Sequence, residues 1–133
     1  MTAADVREGE AQARRLFGDE RYQRSRIDAA PGYRRDLLAL ADEVVFGKVY
    51  ARPGLPLEAR ALCTISALTV LGHAEQLRVH VGAALRLGIE PHTIAEVITQ
   101  MAMYGGFPAA LNAARILDEA AADLAQLDQG ARS

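Results

Sequence analysis

The chain has 133 residues, 50% of them hydrophobic and 24% charged, with a formal net charge of −2. This is the profile of an ordinary globular protein of one domain, residues 1–133, large enough for a real core. It offers no basic surface for nucleic acid and no apolar run near the ~18–20 residues of a membrane span. Arginines do gather in "ARRLFGDERYQRSR", but Asp19, Glu20 and Asp28 are interleaved, which fits a solvated or subunit-facing helix better than a phosphate-binding patch. Cys63 stands alone, so no internal disulfide can form, and no basic stretch followed by an apolar one opens the chain. A reducing cytoplasm is the expected compartment.

Segments rich in Ala, Leu, Arg and Glu, with β-branched residues placed singly at helical spacing, predict an all-α fold of five to seven helices. The first covers residues 3–17 and stops at Gly18; a polar connection then runs to a Pro-Gly turn. The second, over 33–50, carries Leu37, Leu40, Ala41, Val44 and Val45 on one face. Pro53 and Pro56 bar helix in "ARPGLPLEAR". A helix over about 57–71 then points Leu62, Ile65 and Leu68 or Thr69 inward. The next, about 75–87, buries Leu77, Val81, Ala84 and Leu85 and is stopped by Gly88.

Pro91, well suited to a first turn, opens a helix with Ile94, Val97, Ile98, Met101 and Tyr104 at core spacing. "YGGFPAA" breaks it. A last helix over 108–126 has an Ala-rich face, and "DQGARS" is expected to fray. So many apolar stripes exceed what one small core covers, which predicts that part of this surface meets another subunit.

Histidines are the candidate chemistry. His73 and His80 lie seven residues apart and would share a helix face, about 20° apart, if one helix held both. Gly72 could instead mark a break, with His73 at the entry of the following helix. His80 borders the buried stripe, and two readings stand for it: a core-edge side chain bonded to a carbonyl, or a catalytic imidazole with a near-neutral pKa. His73, His80 and His92 lack a metal-ligand spacing, so no metal site is expected. Cys63, with no CxxC anywhere, reads as a small buried apolar residue.

Several motifs occur in one order: "RPGLP" at 52–56, "R-x-L-x-T-I-x-x-L-x-x-L-G" from Arg60 to Gly72, "EQLRVHV" at 75–81 and "Y-x-G-x-P-A-A" from Tyr104. In this the chain closely resembles the γ-carboxymuconolactone decarboxylase family. The resemblance implies an alkylhydroperoxidase-D-like helical fold, assembled as a homo-oligomer, a hexamer or trimer. Peroxidase relatives carry a CxxC that would fall on His73 and Gln76, and an acidic residue that would fall near Ala61. Neither is present, which favours the decarboxylase branch.

The family reaction needs no cofactor, because the electrons left by the departing carboxylate delocalise through the substrate's own double bond onto the lactone carbonyl. The enzyme has to hold two carboxylates, align the scissile bond, stabilise the dienolate and protonate the α-carbon. The resemblance makes His80 the proton donor or dienolate partner, with Tyr104 able to donate through its hydroxyl. Arg52, Arg60 and Arg78 are the candidate carboxylate forks, although any one of them taken singly reads more readily as a solvated helix residue.

Decarboxylases of the catabolic branch often carry a second histidine at the position of Gln100 and an arginine near Gly82. Glutamine can donate a hydrogen bond but transfers no proton at neutral pH. Either His73 takes a proton role or the substrate differs. The expected function is therefore decarboxylation of 4-carboxymuconolactone, without cofactor, in protocatechuate catabolism. The alternatives are a lyase or isomerase of another carboxylate or lactone, and a non-catalytic oligomeric binding protein.

Overall fold

A computed structural model describes residues 3, 4, 7, 11, 14–16 and 32–132. Its described residues contain helices and no strand. They fall into two compact units, Met1–Leu57 and Glu58–Ser133. In the first, backbone at 3, 4, 7, 11 and 14–16 is helical as expected. The expected stop at Gly18 and the connection over 19–31 lie outside the described residues.

Helix α1 (Tyr33–Ala41) follows a Gly32 whose positive φ starts the turn, and it runs directly into a π-helix, Asp42–Val49. The wider winding is visible where the Tyr50 N–H donates to the Val45 carbonyl, five residues back, at 2.8 Å. The ring of Tyr50 meets that of Phe46 edge to face, with centroids 5.2 Å apart. The helix expected over 33–50 is thus present, but its apolar face is not a covered one: Leu37, Leu40, Val44 and Val45 are exposed. The wider winding from Asp42 onward also carries Val44 and Val45 away from the line of Leu37 and Leu40, because a π-helix has more than 3.6 residues per turn.

In the second unit, four helices make one core. They are α2 (Leu57–Leu71), α3 (Ala74–Arg86), α4 (Pro91–Gly105) and α5 (Phe107–Arg132). The long α5 packs along both α3 and α4. Helix α2 adds Ala61 and Ile65 to the core, while α3 adds Leu77, Val81, Ala84 and Leu85 as the pattern predicts. From α4 come Ile94, Ile98 and Ala102, and from α5 Ala113, Ile116 and Leu117. Alanines on α5 admit close neighbours, and each buried Ile or Leu contributes roughly 1.5–3 kcal/mol through burial.

On α2 the fully buried line is Ala61, Ile65 and Thr69, with Leu62 and Leu68 only partly covered. Thr69 is tolerated there because its hydroxyl donates to the Ile65 carbonyl at 2.7 Å.

Two glycines end helices in the same way. Gly72 and Gly88 both take positive φ. The Gly72 N–H donates to the Thr69 carbonyl and that of His73 to the Leu68 carbonyl; Gly88 and Ile89 repeat this on Leu85 and Ala84. This is the double-bonded Schellman closure, which needs a left-handed residue and so favours glycine.

Two expectations are corrected. Cys63 is exposed, since it sits two residues from both Ala61 and Ile65 and so points away from the buried line. The segment 128–132 continues α5 as helix: Gln129, Ala131 and Arg132 are good helix formers, no proline interrupts them, and Gly130 does not take a left-handed conformation. Among the described residues no helix is long and apolar enough to cross a membrane.

Candidate functional site

The break at Gly72 decides the relation between the two histidines. His73 is the N-cap of α3: its carbonyl accepts from the Leu77 N–H at 2.9 Å, while its exposed side chain makes no capping hydrogen bond. The shared helix face that would have paired it with His80 does not exist.

His80 lies in the middle of α3. One turn on, Ala83 and Ala84 are fully buried, and one turn back Leu77 is buried beside an exposed Gln76. The imidazole is accordingly half-buried, and burial pushes its pKa below the ordinary 6.5. At neutral pH His80 is therefore an uncharged ring with one N–H donor and one acceptor nitrogen. It can stabilise a developing oxyanion by hydrogen bonding or accept a proton, and its cationic form is the minor one.

Arg78 is two residues away, which on a helix is about 200° around the axis. Its guanidinium meets the Glu119 carboxylate of α5 at 2.7 Å, and Arg115 reaches the same carboxylate at 3.1 Å. The bond to Arg78, with Arg115 adding to it, holds the Glu119 carboxyl below the usual carboxylate range. Arg78 and His80 thus look to opposite sides of α3, and the structure does not bring them together within one chain.

The remaining candidates are scattered over the two units. Arg60 is half-buried on α2 with its Nε enclosed away from solvent. Arg52 belongs to the first unit, in the turn after the π-helix, where its N–H donates to the Val49 carbonyl at 3.1 Å. Gln100 and Tyr104 are one turn apart on α4, and both are exposed. The core reading of Tyr104 falls: Ala102 takes the buried position, and the ring stands 75% exposed.

Sequence reasoning missed Glu119, although its spacing of four from Arg115 on one helix was a legible sign of a pair. An open cavity of about 220 Å³ between the α3–α4 turn and α5, lined by Leu85, Ile89, Glu90 and Leu124 among others, contains none of the candidate residues. Among the described residues no group of three or more His, Cys, Asp or Glu side chains could hold a metal ion.

The described residues thus form an all-helical fold with a half-buried histidine at the edge of its core, and comparison with known proteins gives the family. The pattern of the carboxymuconolactone decarboxylase family matches residues 35–119. The 4-carboxymuconolactone decarboxylase of Acinetobacter baylyi is 30% identical over 109 residues, covering 82% of this chain and 81% of that protein. An uncharacterized 15.0 kDa protein from the nqo9-nqo10 intergenic region of Paracoccus denitrificans is 49% identical over 76 residues, 56% of this chain and 57% of that one. The chain belongs to the carboxymuconolactone decarboxylase family, and its helical fold is the alkylhydroperoxidase-D-like one.

Proposed function

We propose that this protein is a carbon–carbon lyase that decarboxylates 4-carboxymuconolactone to the β-ketoadipate enol-lactone in the cytoplasm, using no cofactor and working as a homo-oligomer. The observation that carries the reading is His80, half-buried in the middle of α3, where burial disfavours its charged form. Similarity to a 4-carboxymuconolactone decarboxylase over most of both chains supports the substrate class.

In the proposed step the bond between the γ-carbon and its carboxylate breaks, and CO2 departs. The electron pair moves through the ring double bond onto the lactone carbonyl oxygen. The resulting dienolate takes one proton at the α-carbon, so the reaction consumes a proton. An uncharged His80 suits the dienolate better than it suits proton delivery, since its N–H can donate to the forming oxyanion at neutral pH. The proton then comes ultimately from solvent. Arg60, on α2 of the same unit, is the proposed carboxylate fork, because Arg78 turns to the opposite side of α3 from His80. His73 and Tyr104 are held as exposed groups that could meet substrate.

Gln100 favours a second reading, in which the same enzyme type acts on a different carboxylate or lactone. The test is the loss of freshly generated 4-carboxymuconolactone with purified, metal-free protein. Wild type should turn it over, and His80→Ala should lower kcat by at least about a hundredfold with the fold intact. Turnover that survives His80→Ala removes His80 from the chemistry. No turnover by a folded wild type removes the substrate.

A further inference from the structure

Where His80 leaves water, it borders the uncharged core of its own unit. Residues 61–72, 79–85 and 97–114 contain no Asp, Glu, Lys or Arg, and His80 is their one histidine. These three segments supply Ala61, Ile65, Val81, Ala84, Ile98 and Ala102 to that core. Such surroundings disfavour the imidazolium. They leave the acceptor nitrogen of the neutral ring as the one nitrogen base in the three segments, beside an N–H that can donate.

The dienolate of the proposed reaction can be reached in two ways. Loss of CO2 from the γ-carbon is one. Loss of a proton from the same carbon is the other, because the electron pair of a γ C–H bond delocalises through the same double bond onto the same carbonyl oxygen. The first way needs a donor at the oxyanion and no base; the second needs a base as well. Hydrogen at the γ-carbon also leaves the lactone with one carboxylate fewer. The carboxylate that remains matches Arg60, the single fork proposed on α2 of this unit.

We infer that this site has a second activity: it isomerises α,β-unsaturated γ-lactones that carry hydrogen at the γ-carbon and one carboxylate, with His80 as the base. The γ C–H bond breaks, its proton goes to the acceptor nitrogen of His80, and its electron pair moves onto the carbonyl oxygen. The pair then returns, the imidazolium gives its proton to the α-carbon, and the double bond ends in the β,γ position. One ring atom separates the γ- and α-carbons, so a base on one side of the ring serves both. Nothing is consumed, and no oxidant, reductant or cofactor enters. Forming an imidazolium beside an uncharged core costs more than moving a charge already present, so isomerisation is slower than decarboxylation. The inference rests on the dienolate chemistry of the proposed function and not on the substrate named there.

The probe is the 4-carboxymuconolactone skeleton with hydrogen in place of the γ-carboxylate, incubated with the whole chain in D2O and followed by proton NMR. Wild type should lose the γ-proton signal and take up deuterium at the α-carbon faster than buffer alone. His80→Gln should lower this exchange at least about a hundredfold, since glutamine accepts no proton at neutral pH. The same variant should still decarboxylate 4-carboxymuconolactone about tenfold faster than His80→Ala, because its amide N–H can donate to the dienolate oxygen. If His80→Gln fails to fold, imidazole added to folded His80→Ala decides, and should restore the exchange. Decarboxylation with no exchange above the buffer rate, or exchange that survives His80→Gln, overturns the inference. Exchange by a protein that leaves 4-carboxymuconolactone intact supports it and refutes the proposed reaction. A folded protein that does neither overturns both.

Discussion

Two glycines in helices with ordinary backbone angles should answer the same substitution with opposite signs. At Gly105, the last residue of α4, an added Cβ would lie 3.0 Å from the Val70 Cα, 3.2 Å from its Cγ2 and 3.3 Å from its Cβ. The nearest of these atoms is backbone of α2, so relief requires moving one helix against another. Overpacking of this kind costs about 1–3 kcal/mol. The helix-propensity gain is small at a terminal position next to Gly106. At Gly82, inside α3, the Cβ would meet only the end of the Arg86 side chain at 3.6 Å, which can move aside.

There the gain in restricting the unfolded chain dominates, about 0.5–1 kcal/mol. For a chain of this size each kcal/mol is worth about 3–5 °C in Tm. Gly105→Ala should therefore lower Tm by roughly 5–10 °C, and Gly82→Ala should raise it by about 2–4 °C. Thermal unfolding followed by circular dichroism measures both, at matched protein concentration because assembly shifts apparent stability. A Gly105→Ala protein as stable as wild type would refute the close approach of α2 and α4, and a destabilised Gly82→Ala would refute the open surface over α3.

Burial lowers the His80 pKa, so below about 6.5 the unfolded chain binds a proton that the folded one resists. Stability that is fully present above that pH should fall as pH drops toward the folded value. His80→Gln should flatten this part of a Tm-against-pH series between pH 5 and 8, and equal slopes in the two proteins would contradict the burial of the ring. Arg78 and Glu119 tie α3 to α5 on an exposed surface. Glu119→Gln should destabilise slightly at low salt and match wild type at high salt. A loss that persists in high salt would mean that the link acts through packing.

Local pattern was sufficient for most of the second unit. Pro91, Gly72 and Gly88 mark helix ends whose bonds are made within a few residues, and the stripes on α3 and α4 follow from a constant 3.6-residue period. Family membership was legible for a related reason, since ordered motifs such as "RPGLP" and "EQLRVHV" need no coordinates. The half-buried place of His80 was legible as well, from its neighbours Leu77, Val81 and Ala84.

Long-range geometry decided the rest. The π-helix at Asp42–Val49 changes the period and so escapes a reading that assumes one. Tyr104 fits the core spacing of α4, yet Ala102 occupies the buried position and Tyr104, two residues and about 200° further round the helix, faces outward. Arg78 resembles a substrate fork in sequence, and only the fold brings Glu119, forty-one positions later, against it. Periodicity reports which side of a helix is apolar; it carries no information about which neighbour arrives on that side, and that neighbour determines whether a charged or aromatic side chain is held, covered or left in water.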